Sequence, residues 1–525
     1  MSLAHDFRRT ASQVLSGRGK SETARKLNIH RRSLQPEGLK KQGQGAIEMS
    51  CLRQFAALFA VLPRSNVFGR ESSLWPNLKD AEIFMGKKNG ILMAVALMLA
   101  STAQAGERES CKLCGMYIDQ YQKTSAIITT KGGAVEKTCG GSDMLRLVAD
   151  AGGADAFTSV IVHDWASGNE IAAAEATYVI GSNLVPDMIP NFIAFADQGE
   201  AKAFMAEHGG AILTFDQALQ AISPMGMTMP NRVLSAVPQP KGSSSVGVGY
   251  MTMKMATLKM GTDEVSVAQF NAATGRPMAP KKMESSATMV MANYGITDEL
   301  SLMAKIANMD KTMTSDIRLP SGIHADRVRE NNGISDLDLK LRYNLWRDDY
   351  YSKFFTVMAN VTLPTGDFDT EFANAATNMP GLQTGTGSVN LGGGLLGSFR
   401  FGDFWIHGEL SFLVNRENSD NYDFGDVAKI GAALHYTPNY DVMLGLELDA
   451  TDTGKNEFNG VTMENSGGEA VTLTAVGSWR FLSALGGNFT VSGSYGRPLY
   501  QDVNWYGLET DYAATAMLNF TYRFK

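Results

Sequence analysis

The sequence predicts a small α+β domain followed by an all-β, antiparallel transmembrane barrel of about 12 strands. Two observations predict this order. Strand-like and helical runs mix between residues 106 and 222, whereas runs of about ten residues with strict apolar–polar alternation fill residues 246–525. A third observation, an apolar leader ahead of both regions, indicates export across a membrane.

The leader is the segment Met85–Ala105, which we interpret as a signal peptide. It has two lysines, then an apolar run, then Ala103-Gln104-Ala105 as a small-x-small cleavage site. The apolar run spans about ten residues, and a membrane-spanning helix needs about 20. We therefore predict that Met85 is the true start and that residues 1–84 are a non-native or disordered extension; a long cytoplasmic or targeting extension is the alternative.

The exported part begins with the small domain at residues 106–222. Two strands and two helices are predicted there: Ala126–Thr130, Ser159–His163, Ser142–Asp150 and Gly199–His208. Residues 223–245 are rich in Met, Pro and Ser and have no period, so we predict a linker.

The alternating runs predict the barrel. In the last run, Leu518, Phe520 and Tyr522 share one face, and Asn519 and Thr521 share the other. Charged residues recur on the second face of many runs, which favours an apolar exterior against lipid and a hydrated lumen over a soluble β-sandwich. Long polar loops that alternate with tight turns agree with an outer-membrane barrel.

The composition restricts the partners. A formal charge of -7, spread along the chain, indicates no basic surface, so nucleic acid is excluded as a partner. The 28 methionines are concentrated between Met225 and Met313. Thioethers either fill apolar space or bind a soft ion such as Cu(I), and composition alone leaves both interpretations open.

Three of the methionines show the same ambiguity locally. Met251, Met253 and Met255 alternate with Thr252 and Lys254, so all three point to one face of a predicted strand. Facing lipid, they would be ordinary apolar residues; facing the lumen, they would form a ladder of thioethers.

The hexapeptide Cys111-Lys112-Leu113-Cys114-Gly115-Met116 has the clearest chemistry in the chain. Its two thiols and one thioether can converge on a soft ion such as Cu(I). The chain has four cysteines, and Cys51 lies in the extension. The odd number left in the mature part favours metal ligation over a purely structural disulfide.

Cys139 adds a third thiol just before a predicted helix. We expect the helix N-terminus to lower its pKa, with Ser142 or Asp143 as the cap. Met144 and His163 are weaker candidate ligands, and with His163 a Cys3His zinc site is the alternative. The surrounding methionines favour Cu(I) over zinc.

The succession of motifs CKLCGM, CGGSDML, VHDWASGNEIAAAEATYVIGS and FIAFADQGEAKAFMAEHGGAILTFDQAL resembles the NosL family from Cys111 to about Leu219. The resemblance implies Cu(I) binding by a periplasmic accessory protein that supplies copper to nitrous-oxide reductase. At the remaining positions where this sequence matches the family, packing and turns explain the residue types, and Asp164 is the one exception. NosL proteins are typically lipoproteins, yet no lipobox precedes Cys111. Met188 stands near the place of a family Pro-Met-Gly and is a further weak candidate.

The C-terminal part contains YMTMKMATLKMGTDEVS, ELSLMAKIANMDKTM and ISDLDLKLRYNL. With these segments, residues 246–525 resemble a family of outer-membrane barrels of the transporter type, most with no assigned substrate. The two parts together predict a copper-handling, non-enzymatic protein of the bacterial outer membrane. Its N-terminal domain would bind Cu(I) in the periplasm, and its barrel would pass or export the metal. The expected partners are copper ion, outer-membrane lipid and periplasmic copper chaperones. The alternatives are a small-molecule porin with a structural or zinc-binding module and, less favoured, a thiol oxidoreductase using Cys111 and Cys114.

Overall fold

The computed structural model describes residues 108–222, 232–372, 379–439 and 441–523. The extension at 1–84 and the signal peptide at 85–105, both predicted from the sequence, lie outside these residues. Every helix that the structure describes falls short of the length and apolar character that a membrane-spanning helix requires.

The small domain contains two antiparallel sheets, with strand orders β2-β1-β3-β4 and β6-β5-β7, and three α-helices. Its elements are β1 Ala126–Thr130, β2 Val135–Thr138, α1 Gly141–Asp150, β3 Phe157–His163, β4 Glu170–Ala172, β5 Thr177–Ile180, β6 Phe192–Phe195, α2 Gln198–His208, β7 Ala211–Leu213 and α3 Phe215–Ala221. The two predicted strands and two predicted helices are confirmed, and so is the α+β class of the domain.

Local sequence explains where these helices begin. The Asp197 side chain accepts a hydrogen bond from Glu200 N at the start of α2. Thr214 and Gln217 form a reciprocal capping box at the start of α3. The buried faces of α1 and α3 meet the sheets in a main core that includes Ile128, Leu145, Tyr178 and Phe192. The buried face of α2 packs in a second cluster with Val179 and Ile193.

The C-terminal part is a closed antiparallel barrel. Its strands and one short helix are β8 Ser243–Met260, β9 Asp263–Glu264, α4 Val267–Thr274, β10 Met278–Gly295, β11 Leu300–Arg318, β12 His324–Ile334, β13 Leu337–Arg347, β14 Lys353–Leu363, β15 Asn390–Phe401, β16 Phe404–Val414, β17 Tyr422–Asp423, β18 Val427–Tyr436, β19 Val442–Thr453, β20 Glu457–Phe458, β21 Val461–Thr462, β22 Gly468–Ala484, β23 Gly487–Asp502 and β24 Gly507–Arg523.

The barrel wall closes because β8 pairs with β24 on one side and with β10 on the other. The sheet has 14 strands, and two of them, β9 and β12, are additions to the closed wall. β9 is a short arm beyond β8, and β12 pairs with the part of β11 that β13 does not reach. Removing these two leaves 12 wall strands, as the sequence predicts. β17, β20 and β21 form a separate small sheet within the loops.

The two faces of the wall confirm that the barrel is a transmembrane one. Leu444 and Leu446 point outward with 55% of their surface exposed, whereas the adjacent Glu447 and the cross-strand His435 point inward and are fully buried. A soluble barrel would reverse this distribution, because exposed leucines and buried carboxylates are unfavourable in water. An apolar exterior is stable only against lipid.

The ends of the barrel differ in the length of their connections. At one end, here called the short-turn end, the strands are joined by brief turns such as 348–352, 402–403 and 485–486. At the other, the long-loop end, connections such as 364–389, 415–426 and 454–467 are longer. The small domain packs against the short-turn end, where Arg400 Nη2 donates to Ala221 O (3.2 Å) and Ser483 Oγ donates to Leu113 O (2.7 Å).

The predicted linker differs most from expectation. Its described part, residues 232–241, runs inside the barrel, and we call it the lumen segment. Leu234 N donates to Glu409 Oε2 (2.8 Å), and Ala236 N donates to Ser398 Oγ (2.8 Å). Lumenal side chains thus satisfy peptide groups that would otherwise be buried without partners. The first barrel strand begins at Ser243, slightly earlier than the predicted residue 246.

Candidate metal centre

A tight turn places the first two cysteines on the same side of the chain. Cys111 N donates to Met116 O (2.7 Å), and Gly115 N donates to Cys111 O (2.8 Å). Gly115 has a φ of +73°, and a Cβ there would overlap the carbonyl oxygen of Gly487, the first residue of β23. The turn that holds the cysteines therefore lies directly against the barrel, and only glycine fits at its tightest point.

The third cysteine lies between β2 and α1, where two glycines follow it. A Cβ on Gly140 would overlap the Asp187 carboxylate, and one on Gly141 would lie 2.5 Å from Phe192 O. Because these two positions have no side chain, the start of α1 can pack closely against Asp187 and Phe192. Cys139 consequently faces the turn that holds Cys111 and Cys114.

The result is a compact group of four potential ligands. Cys111, Cys114, Cys139 and Asp143 each offer one ligand atom, and these atoms all lie within 4.8 Å of one another. Cys111 Sγ is 3.0 Å from Asp143 Oδ2, and Cys114 Sγ is 3.3 Å from Cys139 Sγ. All four residues are buried, and the three thiols are free. Three sulfur atoms and one carboxylate oxygen can hold a metal ion.

The thiols differ in acidity. Burial by itself would raise the pKa of Cys111, but hydrogen bonds from Cys114 and Cys139 hold that pKa well below the ordinary 9.0. Burial, together with the hydrogen bonds to Cys111, raises the pKa of both Cys114 and Cys139. The expectation of a lowered pKa for Cys139 is therefore wrong, since burial outweighs the helix N-terminus. Burial and the negative charge of Cys111 also raise the pKa of Asp143.

Two of the predicted thioethers lie beside the thiols. Met116 is buried in the same cluster as the three cysteines, and Met188 packs against it. Both line a cavity of about 190 Å³ between the small domain and the short-turn end of the barrel. Cys114 and Asp143 also line this cavity, which gives the metal centre an open side.

The structure does not bring the other two candidates to the cysteines. Met144 is fully buried in the main core of the domain. His163 points to Ser125, with its Nδ1 2.7 Å from the carbonyl oxygen of that residue. A helical residue adjacent to a ligand points to a different face, which explains why Met144 is directed away while Asp143 is directed inward.

Asp143 is the potential ligand that the sequence interpretation does not include. We expected Ser142 or Asp143 to cap α1, but the N-cap residue Gly140 has no side-chain cap bond. The usable signal was the spacing, because Asp143 follows Cys139 by four residues at the start of a helix. One turn of helix places such a residue back over the position that precedes it.

Asp164, by contrast, organises a turn. Its Oδ2 accepts hydrogen bonds from Ser167 N (2.8 Å) and Ser167 Oγ (2.5 Å), and its Oδ1 accepts from Ala196 N (2.9 Å). These contacts explain the buried carboxylate by local structure alone, and Asp164 is not among the four grouped ligands.

The fold and the site define a transmembrane barrel with an appended domain that can hold a metal ion. The NosL family model matches residues 102–222. A curated relative, the copper-binding lipoprotein NosL of Stutzerimonas stutzeri, is 30% identical over 156 residues, which cover 25% of this chain and 81% of the relative. Through this domain the chain belongs to the NosL family.

Solved structures resemble each part. The copper chaperone NosL from Shewanella denitrificans has 30% identity and a TM-score of 0.20, and it covers 22% of this chain and 93% of its own. An outer membrane channel from Pseudomonas putida F1 has 14% identity and a TM-score of 0.43, and it covers 56% of this chain and 100% of its own.

Proposed function

We propose that this protein handles copper at the bacterial outer membrane, binding Cu(I) in the periplasm through its NosL domain and passing the ion through its barrel. The observation that carries the proposal is the buried group of three thiols within 4.8 Å of one another and of Asp143. Thiolate and thioether ligands favour Cu(I) over harder ions. Met116 and Met188 add two thioethers at the open side of this group.

The relatives support copper as the metal. The curated relative is described as a copper-binding lipoprotein, and one solved relative is described as a copper chaperone. Exchange of Cu(I) with periplasmic copper chaperones, and supply of copper to nitrous-oxide reductase, belong to the same proposal.

The position of the domain supports a periplasmic orientation. Outer-membrane barrels typically have short periplasmic turns and longer extracellular loops. The NosL domain contacts the short-turn end, through Ser483 near the end of β22 and through Arg400 near the end of β15. Its metal centre would then face the periplasm and the entrance of the lumen.

The ligands would have distinct roles. Cys111, Cys114 and Cys139 would bind the ion as thiolates and release the protons that they carry as they join, since metals bind thiolates. Met116 and Met188 would accept the ion from a donor or release it, because thioethers bind without losing a proton. No covalent bond is made or broken, so the function is transfer by ligand exchange.

The test is an anaerobic Cu(I) titration of the detergent-solubilised full chain against a competing chromophoric chelator. We expect tight binding at the cysteine site that Cys111→Ser abolishes and Met116→Ala weakens by about tenfold or more. Met205→Ala is the matched control, since Met205 lies on α2 outside the cysteine cluster, and it should bind as the parent chain does.

Other outcomes identify the alternatives. Zn²⁺ that displaces Cu(I) from the cysteine site would overturn the copper proposal and favour a porin with a zinc-binding module. Dithiol–disulfide turnover that needs only Cys111 and Cys114, with copper binding absent, would favour a thiol oxidoreductase.

A further inference from the structure

Methionines recur on one face of three neighbouring strands of the barrel wall, a face that on β11 also carries Lys305 and Lys311. Directly paired residues on antiparallel strands lie on the same face of a sheet. Met283 on β10 pairs with Met255 on β8 and with Met313 on β11, so three methionines stand in one row across three strands. Ala287 likewise lies between Met251 and Met309.

This face points into the lumen. Met303 on β11 pairs with Lys340, which lies on the polar face of β13. On β24 the buried Met517 alternates with Leu518 and shares its face with the buried Asn519. The opposite, outward face includes Tyr250, 46% exposed. The ambiguity in the sequence is thereby resolved, since the methionines of β8 face the lumen and not the lipid.

The set is large for a lumen, which in transmembrane barrels is normally polar. Strand register places ten methionines on this face, and we call them the methionine face: Met251, Met253, Met255, Met283, Met289, Met291, Met303, Met309, Met313 and Met517.

Some of these side chains converge closely. A Cβ on Gly249 would lie 2.6 Å from Met517 Cγ and 3.3 Å from Met289 Cγ, so the two methionines meet over a glycine that leaves them room. In the row of Met255, Met283 and Met313, paired Cβ atoms are about 4.5–5.5 Å apart, within the reach of flexible thioether side chains. Each group can therefore direct two or three sulfur atoms at one ion.

The cavity beside the metal centre adjoins the side of the barrel wall that carries the methionine face. The cavity that Cys114, Met116 and Met188 line is closed on its barrel side by residues that include Ser243, the first residue of β8, and Thr521 near the end of β24. Thr521 lies on the same face of β24 as Asn519 and Met517. The described part of the lumen segment is hydrogen-bonded mainly to the wall formed by β13–β19, and its end reaches the turn between β10 and β11, where Lys241 N donates to Asp298 Oδ1 (3.0 Å).

We propose that the methionine face is a thioether pathway that conducts Cu(I) between the cysteine site and the long-loop end of the barrel. At each step one thioether replaces another on the ion, which stays Cu(I), so neither an oxidant nor a proton is required. The pathway rests on the proposed function for the source of its ion, but its sulfur ligands belong to the barrel alone.

The test separates the two sites. In a background with Cys111→Ser, Cys114→Ser and Cys139→Ser, the full chain is reconstituted in liposomes and Cu(I) flux and K⁺ conductance are measured. Adding Met255→Leu, Met283→Leu and Met313→Leu should lower the Cu(I) flux by about tenfold or more and leave K⁺ conductance unchanged. Leucine conserves volume, so the wall should stay packed.

A matched triple variant controls for the number of substitutions. Met205→Leu, Met379→Leu and Met463→Leu remove three methionines that lie outside the methionine face, and the Cu(I) flux should not change. Unchanged flux in the first variant, or an equal loss of K⁺ conductance, would overturn the pathway. If the cysteine site does not bind copper in the titration, but the Cu(I) flux still depends on the methionines, the proposed function is wrong and the pathway remains supported.

Discussion

At the scale of single residues, the metal centre depends on two kinds of position, those that supply a ligand and those that leave room for one. Cys111, Cys114 and Cys139 stand out in a sequence because thiols are few. Asp143 does not, since acidic residues are common at helix starts for reasons of capping. Gly140 is equally inconspicuous in the sequence. Only the structure shows why glycine is needed there, because the Asp187 carboxylate occupies the space that a Cβ would fill.

Gly140→Ala should destabilise the NosL domain by about 1–3 kcal/mol, because the added methyl group must displace the buried Asp187. Gly132→Ala is the control, as a Cβ there meets only Thr130 Oγ1 at 3.9 Å, and it should change stability by less than about 0.5 kcal/mol. Thermal unfolding of the full chain, followed by a probe in the domain, measures both. Equal effects of the two variants would contradict the steric argument.

Asp143→Asn should lower Zn²⁺ affinity by about tenfold or more while changing Cu(I) affinity far less, since zinc accepts carboxylate oxygen and Cu(I) prefers sulfur. Asparagine has nearly the same size, so the fold should persist. Competition titrations with each ion measure the two affinities. A larger loss for Cu(I) than for Zn²⁺ would show that the carboxylate is a principal copper ligand.

At the scale of elements, the sequence predicts well wherever a period exists. The alternation of Leu444 and Leu446 with Glu447 indicates both a strand and its lipid face, and the structure confirms both. The lumen segment could not be found this way. It has no period, and its partners are distant in sequence, with Leu234 bonded to Glu409 and Arg232 to Asp449. Only barrel closure brings those carboxylates together.

Arg232→Ala should increase the ion conductance of the barrel in planar bilayers. Arg232 Nε lies 2.6 Å from the buried Asp449 carboxylate, and losing this pair leaves a lumenal charge that attracts water and weakens the hold on the segment. Arg318→Ala, at the exposed end of β11, is the control and should conduct as the parent barrel does. Conductance that is equal in the two variants would mean that the ion pair does not hold the lumen segment in place.

At the scale of the whole molecule, the two parts meet so that the cysteine site and the cavity lie at the short-turn end, and the methionine face extends along the wall toward the long-loop end. Transfer of copper from periplasmic chaperones to the cysteine site requires that the short-turn end faces the periplasm. Labelling of intact cells with a membrane-impermeant maleimide tests the orientation, using the background in which the three buried cysteines are serines. Thr462→Cys, on an exposed loop at the long-loop end, should react in intact cells. Lys202→Cys, exposed on α2 of the NosL domain, should react only after the outer membrane is permeabilised. The opposite pattern would place the metal centre outside the cell, and copper would then enter the methionine face from the medium and not from periplasmic chaperones.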